Sequence, residues 1–283
     1  MIAERKLVAP LPRDESRARG HFVASRHTPA ISPFLLRWFT WYSRHYVKRH
    51  FHSLRVSRTG LPPDTQGLPL LLYSNHASWW DPLVCLLLKQ QFFPERNGYA
   101  PIDAAMLEKY SFFRHLGFFG IDPHSARGAA QFLRTAEELL QSENNLVAVT
   151  PHGRFADARE RPVRLKPGLA HLARRVERTL FLPLAIEYVF WDERLPEILV
   201  RFGKPIRAEH EERSAEDLMQ LFNGHLARAQ DALALESQRR DPAQFQTLVQ
   251  GGAGQGGVYD WWRWMKGIIL NKPFRKEHGN HEP

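Results

Sequence analysis

The residues best suited to chemistry are His76 and Asp81, in the stretch Tyr73-Ser74-Asn75-His76-Ala77-Ser78-Trp79-Trp80-Asp81-Pro82. An imidazole that gives one ring proton to a carboxylate is fixed in one tautomer, and its other nitrogen is then a base near neutral pH. On a continuous helix, residues five apart point about 140° away from each other, so this pair needs a turn to meet. The flanks supply one. Leu70-Leu71-Leu72 reads as a buried strand and Trp80 to about Lys89 as a helix, with Pro82 tolerated in its first turn. His76 then lies in the connection, and Asp81 at the helix start folds back towards its ring.

A second group of chemically useful residues leaves a later strand, at Pro151-His152-Gly153-Arg154. Arg159, Arg161, Arg164 and Lys166 follow, and Asp157 and Glu160 balance them only in part. Guanidinium groups bind phosphate bidentately, so this loop reads either as a site for a lipid-headgroup or donor phosphate near His76 or as a solvated surface loop, and the order of the blocks described below favours binding. His152 is either a second titrating group or a polar residue bound to neighbouring backbone. No metal-ligand cluster is visible, and Ser78 lacks the Gly-x-Ser-x-Gly surroundings of a serine nucleophile, so a metal-free general-base mechanism is expected.

Alternating elements position these groups. Strands are predicted at Leu68–Ser74, Tyr99–Asp103, Phe118–Asp122, Leu146–Thr150, Thr179–Glu187 and Ile198–Phe202. Helices are predicted at Ala104–Leu116, Ser125–Gln141, Pro167–Val176 and Ala215–Glu236. This pattern predicts a single α/β domain with a largely parallel mixed sheet covered by helices, spanning residues 59–240. Residues 1–29, rich in charge and proline, read as a mobile arm, and residues 241–283 as a linker with an aromatic-rich C-terminal segment around Trp261, Trp262 and Trp264.

Residues 30–58 are of another kind. From Ile31 to Leu54 the chain reads as an amphipathic helical extension in which Phe34, Trp38, Phe39, Trp41 and Tyr42 alternate with Arg37, Arg44, Lys48 and Arg49, with no acidic residue. That mixture suits a helix lying in a lipid headgroup layer, and the alternative is a helix packed on the domain with solvated cations. The 283 residues carry a formal charge of +9, which asks for an anionic partner. A membrane surface is expected rather than nucleic acid, because no nucleic-acid module is recognisable. Neither a secretory leader nor a run of about 18 apolar residues is seen, so membrane contact is expected to be peripheral, at the cytoplasmic face. The single cysteine, Cys85, excludes an intramolecular disulfide framework and reads as a packing residue.

The stretch around His76 resembles the first block of the glycerolipid and lysophospholipid acyltransferases, usually written NHxSxxD, with Asn75, His76, Ser78 and Asp81 in place. Gly117, Ile121 and Asp122 are similar to the second block, where Pro123 stands in place of the usual arginine and Arg127 follows one turn later as a substitute. Pro151 and Gly153 fit the third block, Phe-Pro-Glu-Gly-Thr-Arg-Ser, with His152, Arg154 and Phe155 replacing the acid, the threonine and the arginine. Phe181-Leu182-Pro183-Leu184-Ala185-Ile186 resembles the fourth. Over residues 68–205 the resemblance implies transfer of an acyl group from acyl-CoA or acyl-carrier protein to a hydroxyl of a lysophospholipid or related acceptor, with no further cofactor. His76 and Asp81 are then catalytic, and Asn75, Ser78, Arg127, His152, Gly153 and Arg154 bind substrate. The alternatives are a catalytically silent membrane-binding scaffold and a lipid or thioester hydrolase.

Overall fold

The computed structural model describes residues 29–65, 67–208 and 213–253. The expected arm at 1–29 lies almost wholly outside the described residues, and so does the tryptophan-bearing segment after residue 253. Helix α1 (Pro33–His50) begins where the Ser32 hydroxyl accepts the Leu35 N–H, with proline at its first position, and its last turn carries Lys48 and Arg49, whose charges suit the carbonyl end. Strand β1 (Ser53–Ser57) follows, then β2 (Leu70–Ser74), α2 (Asp81–Phe92), β3 (Asn97–Asp103), α3 (Ala104–Lys109), β4 (Phe118–Ile121), α4 (Ala126–Leu139) and β5 (Asn145–Val149). The chain continues as α5 (Gly168–Ala173), β6 (Thr179–Val189), β7 (Glu197–Phe202), β8 (Ile206–Ala208), α6 (Ala215–Gln238) and β9 (Phe245–Gln250).

The strands form one nine-stranded sheet in the order β4-β3-β5-β2-β6-β7-β1-β9, with β8 also paired to β6. From β4 to β6 all neighbours are parallel, and antiparallel pairing enters at β6–β7, β6–β8 and β1–β9. The sheet is therefore the largely parallel, mixed one expected. β2 lies near its centre and every residue in it is buried, because both faces are covered. Leu70 and Leu72 pack towards Val84, Leu87 and Leu88 of α2, whereas Leu71 and Tyr73 pack towards α4, α5 and α6. A strand buried on both faces reads as a continuous apolar run rather than an alternation, which is why Leu70-Leu71-Leu72 was legible.

The expected boundaries shift at several places. The first helix stops at His50, and Ser53–Ser57, inside the span assigned to the membrane-associating segment, is a strand between β7 and β9. Its polar residues are buried because they have partners: Arg55 Nε donates to Glu197 at 3.1 Å and its Nη1 to Thr247 at 2.9 Å. β9, inside the expected linker, is an antiparallel edge strand of the same sheet, so the domain reaches from β1 to β9. The helix expected over Ala104–Leu116 breaks at Tyr110, whose φ and ψ are −123° and 67°, and continues as a tight 3-10 turn over Ser111–Leu116. Among the described residues no helix is long and apolar enough to cross a membrane.

Candidate active site

The connection from β2 to α2 is held from both sides. Asn75 is fully buried and extends the β2–β6 ladder with its side chain: its Nδ2 donates to the Ile186 carbonyl and its Oδ1 accepts the Ile186 N–H, both at 2.9 Å. The chain then turns, and the Asp81 N–H donates to the Ser78 carbonyl at 3.2 Å to open α2. This places His76 Nδ1 at 2.8 Å from Asp81 Oδ2, which also accepts the Ser78 N–H at 3.1 Å. The other carboxylate oxygen, Oδ1, accepts the Tyr188 hydroxyl at 2.8 Å. With the carboxylate facing Nδ1, the ring proton sits there and Nε2 keeps its lone pair.

The acid is sealed and the base is not: the Asp81 side chain is 1% exposed and the His76 side chain 22%. Burial, followed by the charge of Asp81 beside it, pushes the Tyr188 phenol far above its ordinary value, so it remains a donor to the carboxylate throughout the physiological range. Tyr188 escaped the sequence reading. Its one available signal was its position two residues beyond the fourth block, and only the pairing of β2 with β6 brings it to Asp81.

His76 and Asp81 open into a cavity of about 660 Å³. Its walls are mainly apolar and include Leu36 and Phe39 of α1, Cys85 and Leu86 of α2, and Ile102 and Phe118 of β3 and β4. Burial, with Asp81 as a second cause, pushes the Cys85 thiol up to about 12, which leaves it an uncharged wall residue. The Phe155 ring lies 4.3 Å from the His76 ring and 5.2 Å from that of Trp79, which is itself 71% exposed. The loop carrying Phe155 is pinned to the β2–α2 turn where the Ala156 N–H donates to the His76 carbonyl at 2.8 Å.

The residues expected to bind substrate separate into two groups. Gly153 and Arg154 line the cavity with His76. Asn75 and Ser78 do not; they build the turn. Arg127 is exposed on the first turn of α4 and lies outside the lining, so it does not reach the place it was expected to fill. His152 also lies off the lining, with its Nδ1 buried and unpartnered. Burial, then the Arg154 charge, holds it below the ordinary histidine value, against the pull of Glu160. Arg154 pairs with Glu160 and donates to the Phe155 carbonyl at 3.1 Å.

Residues 50–187, which contain the His76–Asp81 turn, the cavity strands and most of β6, match the family model described as Acyltransferase. This stretch is an acyltransferase domain. Among solved structures, the chain is similar to the crystal structure of the 1-acyl-sn-glycerophosphate (LPA) acyltransferase PlsC from Thermotoga maritima. The TM-score is 0.52 at 14% identity, over 71% of this chain and 80% of that one, a likeness of fold. No curated protein matches the chain. The matched family region begins at residue 50, and α1, which lies before it, contributes Leu36 and Phe39 to the cavity.

Proposed function

We propose that the protein is a membrane-associated O-acyltransferase that moves a fatty acyl group from a thioester, acyl-CoA or acyl-carrier protein, to a hydroxyl of a lysophospholipid or related acceptor. The observation that carries this reading is the pairing of a buried carboxylate with a reachable imidazole, opening into an apolar cavity large enough for an acyl chain. In the proposed step, His76 Nε2 takes the proton of the acceptor hydroxyl as its oxygen attacks the thioester carbonyl. Asp81 holds the ring and stabilises the imidazolium, and Tyr188 and the Ser78 N–H hold Asp81. The carbon–sulfur bond then breaks and the imidazolium returns its proton to the departing thiolate, leaving the ester and a free thiol. General-base assistance of this kind contributes about 10²–10⁴ in rate.

Location at a membrane surface is supported by α1. Phe34, Trp38, Trp41 and Tyr42 are exposed at 69%, 51%, 57% and 40%, while Ser43 and Val47 of the same helix are buried. Exposed Tyr110 and Phe112 lie beside it, the Phe112 ring 6.4 Å from that of Phe39. Each large side chain entering lipid contributes about 1.5–3 kcal/mol, and each basic residue at an anionic surface about 1 kcal/mol. The proposed site is peripheral, on the cytoplasmic face.

The test is incubation of the purified protein with acyl-CoA and a mixed pool of lysolipids, following thiol release and reading new lipid esters by mass spectrometry. Wild type is expected to form an ester and His76→Ala, still folded by circular dichroism, to form none. Free fatty acid without a new ester would make the protein a hydrolase. Ester formation by His76→Ala at the wild-type rate would remove His76 from the mechanism.

A further inference from the structure

Trp79 and Trp80 are neighbours in the β2–α2 turn, and the fold uses them differently. The Trp80 ring packs inward, 5.1 Å from that of Tyr46 and 6.1 Å from that of Phe51. The Trp79 ring stays 71% exposed and rests against Phe155 at 5.2 Å. Phe155 in turn lies 4.3 Å from the His76 imidazole, contact distance for two rings. Both Trp79 and Phe155 line the cavity with His76. Two large rings thus stand at the base rather than in the core, where burial of each would contribute about 1.5–3 kcal/mol.

The loop backbone fixes Phe155 in this place. Gly153 turns the chain at φ +66°, and beyond Phe155 the buried Ala156 donates its N–H to the His76 carbonyl at 2.8 Å. The Asp157 carboxylate then accepts the Arg159 N–H at 2.8 Å and closes the next turn. On the other side, Arg154 pairs with Glu160 and donates to the Phe155 carbonyl at 3.1 Å, so its guanidinium is occupied by the loop itself. A ring, not a polar side chain, therefore faces the imidazole. Water settles in a pocket only where it finds two to four polar partners, and the Phe155 ring supplies none.

A base that takes a proton from an acceptor hydroxyl takes one equally well from water. The water oxygen would then attack the thioester carbonyl, the carbon–sulfur bond would break with the proton passing to the thiolate, and the products would be a fatty acid and a free thiol. We infer that Phe155, backed by Trp79, is a water-excluding cover over His76 that makes the site a transferase instead of a thioester hydrolase. This rests on the acyl-transfer reading above. An acceptor with an apolar tail passes between the two rings without losing contacts, whereas water gives up its hydrogen bonds there.

The quantity to measure is the ratio of free fatty acid to new ester, from acyl-CoA and the mixed pool of lysolipids in detergent micelles. A ratio is independent of how much protein sits at the lipid surface, so any part these exposed rings play in membrane contact does not enter it. It is expected to rise about tenfold in Phe155→Ala and about threefold in Trp79→Ala, and to stay near wild type in Phe155→Leu, which keeps an apolar cover. Ester and acid falling together at an unchanged ratio would make Phe155 a packing residue and overturn the proposal, as would a rise in Phe155→Leu equal to that in Phe155→Ala. Carbethoxylation of His76 by diethyl pyrocarbonate, located by peptide mass spectrometry, needs no turnover and is expected to be faster in Phe155→Ala than in wild type. Faster modification with no ester from either protein would sink acyl transfer and keep the cover; equal modification would sink the cover. Free acid alone from wild type would sink both.

Discussion

The two walls that meet at His76 are built on opposite principles. On one side, the β2–α2 turn is buried and fully bonded: Asn75 and Asp81 are 0% and 1% exposed, and both carboxylate oxygens of Asp81 and both amide atoms of Asn75 have partners. On the other, the loop after β5 carries its charges in the open, where the Arg154–Glu160 and Arg159–Asp157 pairs are mostly solvated. Exposed pairs of that kind contribute about 0–1 kcal/mol, whereas a buried network is expensive to break at any one member. The contrast teaches where this fold tolerates change. The His76–Asp81 pair is fixed by buried bonds, and the charges of the loop after β5 stand where they alter cheaply.

Substitutions on the buried wall should therefore cost most. The largest effect is expected for Asp81→Asn, which keeps size but removes the acceptor that fixes the His76 tautomer. Turnover is expected to fall by about 10²–10⁴ with little change in KM, read by thiol release under saturating substrate. A loss below tenfold would mean that Asp81 does not set the imidazole. Next comes Asn75→Ala, which strands the buried N–H and carbonyl of Ile186. Each stranded group costs about 1–3 kcal/mol, measurable as a lower urea midpoint, and a stability within about 0.5 kcal/mol of wild type would show that the turn is not held in this way.

The smallest effect is expected on the looser wall, at His152. Its lowered pKa means that the folded protein takes up this proton less readily than the unfolded chain does. Stability is then intact above the ordinary histidine value and declines as pH falls from there through the lowered one. His152→Gln is expected to make the fall in urea midpoint between about pH 7 and 5 shallower. His225, lowered chiefly by burial in the same direction, leaves some of that slope in place. An unchanged slope would show that the orphaned Nδ1 places no load on the fold.

The sheet's parallel half was legible because its strands are short apolar runs closed by helix starts that carry their own caps, such as Ser125 before α4 and Ser214 before α6. β1 and β9 were not. Ser53-Leu54-Arg55-Val56-Ser57 reads as polar, and it is a buried strand only because Glu197, 142 residues away from Arg55, receives its guanidinium. The basic loop was legible as a composition, but which of its cations faces the cavity was not. Arg127 and Lys166 are equally cationic in sequence, and the lining of the cavity separates them.

By itself, the chain determined that an imidazole and a carboxylate share one strand-to-helix turn, since that depends on residues five apart and on local caps. Only the tertiary structure decided what holds them. Asn75 meets Ile186 across 111 residues and Asp81 meets Tyr188 across 107, pairings set by the register of β2 on β6. Local preference acts along a few residues of chain, whereas register is chosen by the burial of two whole faces at once, and no short stretch contains that information.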